Sequence, residues 1–154
     1  MPLPIVATPT YELKLPSSNK KIKYRPFLVK EEKVLIIALE SKSQSEITSA
    51  VKDVLKQCIL TKGVDVDSLP TFDIEYIFLN IRAKSIGEAI KVRVTCPDDG
   101  ETEIPVTVYV DEIKVVKSKD HKTDIVLDDK MTLRMKYPSI NQFIETNFDV
   151  NEDP

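Results

Sequence analysis

The amino-acid sequence predicts an α+β fold, in which an N-terminal β-hairpin and a three-helix region are followed by a small antiparallel β-sheet region. Three observations predict this order. Apolar residues recur with helical spacing between residues 28 and 88, apolar and polar residues alternate near the N-terminus and again after residue 88, and turn-forming residues separate the alternating runs. The chain of 154 residues suits one domain or two small halves and is long enough to bury a hydrophobic core.

The N-terminal region predicts an extended arm followed by a β-hairpin. Residues 1–9 contain three prolines and no hydrophobic period, which is typical of an arm that lies on a partner or stays mobile. Residues 11–15 and 21–24 alternate between apolar and polar side chains, and Pro16-Ser17-Ser18-Asn19 supplies a turn between them. The polar face of this hairpin is rich in lysine, which protects an edge strand from unwanted pairing.

Two helices are predicted next. The first covers residues 28–40, and its apolar run 34–39 is expected to be buried. The second begins after Ser45, a suitable N-cap residue, and carries the clearest amphipathic pattern in the chain. Its apolar stripe consists of Ile47, Ala50, Val51, Val54, Leu55, Cys58 and Ile59. Because a free cysteine behaves as a small apolar residue, we expect Cys58 to be a buried thiol and not a nucleophile.

The third predicted helix, residues 69–88, is the longest stretch with the pattern of a continuous buried element. Pro70 suits its beginning and Gly87 its end, while Arg82 and Lys84 suit the negative end of its dipole. Apolar residues surround much of it: Phe72, Ile74, Ile77, Phe78, Leu79 and Ile81. We therefore expect a core helix, with Phe78 buried, at the hinge between a helical first half and a β-rich second half.

The second half predicts two hairpins. Residues 89–95 and 102–110 have strand patterns and flank a turn that contains Asp99-Gly100, and residues 125–127 and 131–137 form a second alternating pair. The predicted organisation is an arm (1–9), a hairpin with a helical region (10–88), an antiparallel β region (89–138), and a short helix with an acidic tail (139–154). This division leaves open a further C-terminal region.

Composition and motifs indicate no catalytic or cofactor chemistry. The net charge of −3 argues against nucleic-acid binding, and no apolar run approaches the roughly 20 residues that span a bilayer. The single histidine, His121, lies in a charged loop, where we expect it to be exposed and uninvolved. The turn Cys96-Pro97-x-x-Gly100 has the shape of a zinc ribbon but lacks its second cysteine. We expect no enzymatic activity, cofactor, metal, membrane or small-molecule substrate, and two reduced thiols, although one long-range disulfide stays open.

Two long motifs carry a family resemblance. Residues 24–33, YRPFLVKEEK, precede an apolar helix, and residues 69–88 read LPTFDIEYIFLNIRAKSIGE. Both resemble the T4-type bacteriophage base plate protein family, and the β region with its Cys-Pro-x-x-Gly turn follows in the expected order. The resemblance covers residues 10–150. It implies a protein of the central baseplate hub region of a contractile-tailed phage, usually continued by a C-terminal helical region, and it transfers no catalytic residues.

The resemblance implies a non-enzymatic structural component that binds other baseplate or hub proteins, in the virion tail and in the host cytoplasm during assembly. The alternative is a transient chaperone for hub assembly that is absent from the mature particle. The expected contact surfaces are the arm, the first hairpin and the sheet edges, with candidate partner-binding residues Tyr24, Arg25, Phe27, Arg82 and Lys84. For Arg25 the competing interpretation is a local ion pair with Glu31 or Glu32. For Arg82 and Lys84 it is complementarity to the helix dipole.

Overall fold

The computed structural model describes residues 8–142 and confirms the α+β class, with an N-terminal hairpin, helices and small antiparallel sheets. Most of the predicted arm, and the predicted helix 140–147 beyond Gln142, lie outside the described residues. The helices and strands in chain order are β1 (Tyr11–Lys14), β2 (Lys21–Tyr24), α1 (Val29–Glu40), α2 (Gln44–Cys58), α3 (Thr71–Ser85), β3 (Ala89–Thr95), β4 (Glu103–Tyr109), β5 (Asp124–Val126) and β6 (Thr132–Arg134).

The first hairpin is the one predicted, with β1 and β2 antiparallel from Tyr11↔Tyr24 to Lys14↔Lys21. Asn19 takes a φ of 58° in the turn, a left-handed conformation that asparagine tolerates better than most residues. Ile22 and Tyr24 point into the core while the lysines of β2 stay exposed. The period of two therefore places the apolar face of the hairpin against the helices.

Helix α2 buries the stripe that its periodicity predicts: Ala50, Val54, Leu55 and Cys58. The helix begins two residues earlier than expected, so its N-cap is Ser43 and not Ser45; Lys42, just before the N-cap, has a left-handed φ of 56°. Cys58 is completely buried, and this burial raises the pKa of its thiol to about 11. The predicted burial of Cys58 is confirmed, and the raised pKa disfavours the thiolate that a nucleophilic cysteine needs.

The expected burial of residues 34–39 in α1 is wrong. Ile37 is 66% exposed and Leu39 is 61% exposed, whereas Ala38 is buried and Leu35 packs partly buried against the core. The helix is apolar around most of its circumference, so a single packed side leaves apolar residues in contact with water. Among the described elements α1 packs chiefly on α2, and its opposite side is not covered.

Helix α3 forms the centre of the core, as expected. Ile77 and Ile81 are completely buried, whereas Phe78 is only partly buried and packs at the edge of the core, so the expectation of a fully buried Phe78 is wrong. In the first turn of α3 the buried carboxylate of Asp73 accepts hydrogen bonds from the backbone N–H of Ser17, at 3.0 Å, and from the Ser17 hydroxyl. These bonds attach the turn of the first hairpin to the beginning of α3.

The second half contains two separate two-stranded sheets within the described residues. Strand β3 pairs with β4, and β5 pairs with β6, both antiparallel, so both predicted hairpins form. Gly100 has a φ of 68° in the first turn, where the left-handed conformation favours glycine. A helical segment begins at Ile140, whose backbone N–H donates to the carbonyl of Leu69 at 3.3 Å and so returns the chain to the beginning of α3.

We expect Ile77→Ala to reduce the free energy of unfolding by about 2–5 kcal/mol, because it leaves a cavity in a fully buried site. Phe78→Ala should cost less than about 3 kcal/mol, because part of the ring already contacts water. Urea denaturation of both variants measures the difference. An equal or larger loss for Phe78→Ala would contradict the position of this ring at the edge of the core.

Candidate functional site

The five candidate partner-binding residues converge near the C-terminal end of α3. The segment that joins β2 to α1 passes over this end of the helix, where the backbone N–H of Phe27 donates to Ser85 Oγ at 3.0 Å. The backbone N–H of Arg25 donates to the carbonyl of Cys58 at 3.0 Å, which fixes the same segment to the end of α2. The two sequence motifs, residues 24–33 and 69–88, therefore contact each other.

Arg25 forms the local ion pair that was its competing interpretation. Its guanidinium donates to Glu31 Oε1 at 3.0 Å and to the carbonyl of Pro26 at 2.9 Å. The carboxylate of Glu31 is almost fully buried, and its second oxygen accepts the backbone N–H of Leu28 at 2.7 Å. Burial alone would raise the pKa of Glu31, but the hydrogen bonds from Arg25 and Leu28 and the positive charge of Arg25 together hold it below its ordinary value.

Tyr24 and Lys84 both lie against the ring of Tyr11. Tyr24 is 2% exposed, its ring centroid lies 5.8 Å from that of Tyr11, and burial raises the pKa of its hydroxyl. The ammonium of Lys84 lies 5.4 Å from the centroid of the Tyr11 ring and also pairs with Glu88, four residues further on and past the end of the helix. Both side chains therefore have partners inside the chain, and their predicted contacts with other proteins stay predictions.

Phe27 and Arg82 line an apolar groove between α1, α2 and α3. We call it the α1–α3 groove; it has a volume of about 340 Å³. Its lining is mostly aliphatic and aromatic, and includes Leu35, Leu39, Ile47, Val51, Phe78 and Ile86. Leu39 and Ile86 are each 61% exposed, so the groove opens to solvent along the uncovered side of α1. The exposed apolar residues of α1 thus form one side of a concave surface. The periodicity of the α1 sequence alone did not indicate this surface.

The side chain of Arg82 lies in this groove without a partner. Its Nη1 atom is buried and makes no hydrogen bond, and no ion pair joins it to another described residue, although Glu32 lines the same groove. A buried donor without an acceptor costs about 1–3 kcal/mol, and more when it is charged. The position of Arg82 in the last turn of α3 agrees with dipole complementarity, but the dipole does not supply the missing acceptor.

Each of the two C-terminal hairpins also has an apolar face, and we call these two surfaces the hairpin faces. On β3 and β4 the pairs Val92↔Val106 and Val94↔Ile104 stand on one side of the sheet, and their exposed fractions run from 38% to 50%. On β5 and β6 the pair Ile125↔Leu133 is equally open, at 45% and 46%. Sequence alternation predicted that these residues share a face; it did not predict that the face would be uncovered.

The described residues contain no group of three or more His, Cys, Asp or Glu side chains arranged to hold a metal ion. Cys58 and Cys96 are free thiols. His121 is exposed, as expected, but it is not isolated: its Nε2 lies 2.7 Å from the hydroxyl of Tyr137, and the two rings stack. Between residues 8 and 142, no helix is long and apolar enough to cross a bilayer.

The lowered pKa of Glu31 predicts a pH-dependent contribution to stability. Because the folded pKa lies below the unfolded value of about 4.3, the ionised carboxylate stabilises the fold above that pH, and the contribution is lost as the pH falls through the folded pKa. Glu31→Gln should therefore be less stable than the native chain near neutral pH, and the difference should shrink below about pH 4. Urea denaturation at both pH values measures it, with Glu32→Gln as a neighbouring control. A difference that is the same at both pH values would contradict the role of the charge.

The comparisons with known proteins agree with the two motifs. The sequence model described as T4 bacteriophage base plate protein matches residues 8–154, which is almost the whole chain. Comparisons with curated proteins and with solved structures find no match. The match includes both motifs that meet at the end of α3 and both C-terminal hairpins, so the earlier resemblance is confirmed. The chain belongs to the T4 bacteriophage base plate protein family.

Proposed function

We propose that this chain is a non-enzymatic structural component of the baseplate hub region of a contractile phage tail, where it binds other baseplate proteins. One observation supports the binding role: the hairpin faces are apolar and uncovered by any described part of the chain. Single exposed apolar residues are ordinary, but contiguous apolar patches on a soluble protein mark interaction sites. Membership of a baseplate family supplies the class of partner.

The geometry of β3 and β4 favours a protein partner on one side only. Six β-branched residues stand in three directly opposed pairs on one face: Ile90↔Val108, Val92↔Val106 and Val94↔Ile104. The other face carries charged and polar groups, including the ion pair between Arg93 and Glu103. A lone two-stranded sheet is marginally stable in water, and a packed layer on its apolar face adds the burial that it lacks. The hairpin is therefore suited to being covered by another subunit.

The same features support a function without catalysis. The partnered carboxylates of Glu31 and Asp73 are used to join segments of the fold, and the thiol of Cys58 is enclosed in the core. The exposed apolar faces of the two C-terminal hairpins suit assembly with another protein. We place the protein in the host cytoplasm while the baseplate assembles and in the tail baseplate afterwards.

The alternative is a transient chaperone of hub assembly. Exposed apolar faces favour this function as well, because an assembly factor also covers a partner's apolar surface for a time. The two functions differ in whether the chain remains in the finished tail. Mass spectrometry of purified mature tails, with cryo-electron microscopy of the same preparation, distinguishes them. We expect the chain in a fixed ratio to the other baseplate proteins; complete absence from mature tails would replace the structural function with the chaperone function.

Substitutions on β3 test the binding surface. Val94→Lys places a charge on the apolar face, so we expect a phage that depends on this variant to assemble few or no complete baseplates. Thr95→Lys, one residue further along, places the same charge on the polar face, opposite Glu103, and should assemble normally. Circular dichroism and thermal melting of the purified proteins check that both variants fold. Normal baseplates with Val94→Lys would contradict the proposed surface.

A further inference from the structure

We infer that the α1–α3 groove binds an amphipathic helix of another baseplate protein, and that an aspartate or glutamate of that helix pairs with Arg82. The inference rests on the proposed function, since it names the chemistry of one partner. The groove is a different surface from the hairpin faces: it lies among the helices of the first half, and the hairpins lie in the second half.

The lining of the groove indicates apolar side chains in the occupant. Apart from Arg82 and Glu32, the residues that line it are apolar, and its volume of about 340 Å³ lies in the range of real binding pockets. The walls are helices, whose backbone groups bond within each helix. An extended peptide would leave its own N–H and C=O groups without acceptors and donors here, whereas a helix satisfies them internally. Helix-in-groove binding is a common mode for such surfaces.

The charge of Arg82 indicates one carboxylate in the occupant. The guanidinium is held against the groove with Nη1 buried and unbonded, and no described side chain, including Glu32 in the same groove, accepts a hydrogen bond from it. A carboxylate accepts two parallel hydrogen bonds from a guanidinium, and these bonds are stronger when water is excluded. Apolar groups from the same helix would exclude that water by covering Leu39 and Ile86.

The second charge in the groove gives the occupant an orientation. Glu32 lines the groove on the α1 side, and Arg82 lies on the α3 side. A bound helix therefore meets a cation on one wall and an anion on the other. We expect its carboxylate to face α3 and any lysine or arginine to face α1, because opposed charges across an interface determine its register. The sequence pattern of the occupant is apolar residues at i, i+4 and i+7 with an acidic residue beside them.

Peptides test the inference. Synthetic peptides of about 20 residues, long enough for a helix of roughly 30 Å, are tiled across the baseplate proteins of the same phage and titrated with the full chain by fluorescence anisotropy. We expect at least one peptide with the stated pattern to bind. Arg82→Gln should weaken its affinity at least tenfold, and replacing the acidic residue of the peptide with its amide should weaken it to a similar degree. Arg93→Gln, which changes an exposed arginine of β3, should leave the affinity unchanged.

A stability measurement separates binding from a structural role of Arg82. Because its guanidinium makes no hydrogen bond or ion pair to a described residue, Arg82→Gln should lower the urea midpoint of the free protein only slightly, by what its interaction with the helix dipole contributes. A charge exchange provides a second check: Arg82→Glu should recover binding to a peptide in which the acidic residue is replaced by lysine. A large loss of stability in Arg82→Gln, together with unchanged peptide affinity, would overturn the inference.

Three other results would also overturn it. The first is that no tiled peptide binds. The second is self-association in sedimentation experiments that Leu39→Asp abolishes, which would make the groove an interface between two copies. The third is that a peptide of residues 143–154 occupies the groove, which would assign it to the chain's own C-terminal segment. None of these results bears on whether mature tails contain the protein, so failure of this inference is distinguishable from failure of the proposed function.

Discussion

The buried contact between Arg25 and Glu31 is the constraint on which the arrangement of the first half depends. It joins the end of β2 to the first turn of α1, and the carboxylate also accepts the N–H of Leu28, which would otherwise be an unsatisfied donor at the helix N-terminus. Replacing one member of a buried ion pair leaves an uncompensated charge, which destabilises the fold far more than replacing both members with apolar residues. Polar contacts therefore fix the corner between β2 and α1, and the backbone N–H of Phe27 attaches it to Ser85 at the end of α3.

These contacts explain why the two motifs are adjacent in space. Residues 24–33 and 69–88 are separated in the chain, but the first forms the corner and the second forms the helix on which the corner rests. A second buried carboxylate makes a similar contact at the other end of α3, where Asp73 accepts hydrogen bonds from Ser17 in the turn of the first hairpin. Polar contacts thus attach both ends of α3 to the hairpin region, and the apolar core of α2 and α3 fills the space between them.

Much of the fold could be predicted from the sequence, because most elements have a clear hydrophobic period. The stripe of α2 and the alternation of β3 and β4 each report which side of an element is apolar, and the structure agrees. Periodicity does not report whether another element covers that side. For this reason the exposure of Ile37 and Leu39 and the open hairpin faces could not be predicted. The candidate partner-binding residues stay predictions: the sequence gives Arg82 two interpretations, partner contact and complementarity to the helix dipole, and its missing acceptor is visible only in three dimensions.

The enclosure of Cys58 has a consequence for the chemical durability of the protein. Only a thiolate attacks peroxides or disulfides at a useful rate, and a pKa of about 11 leaves roughly one thiol in ten thousand ionised at neutral pH. Oxidants also have no access to a sulfur atom with zero exposure. The centre of this fold therefore carries a cysteine that oxidants can reach only if the fold opens.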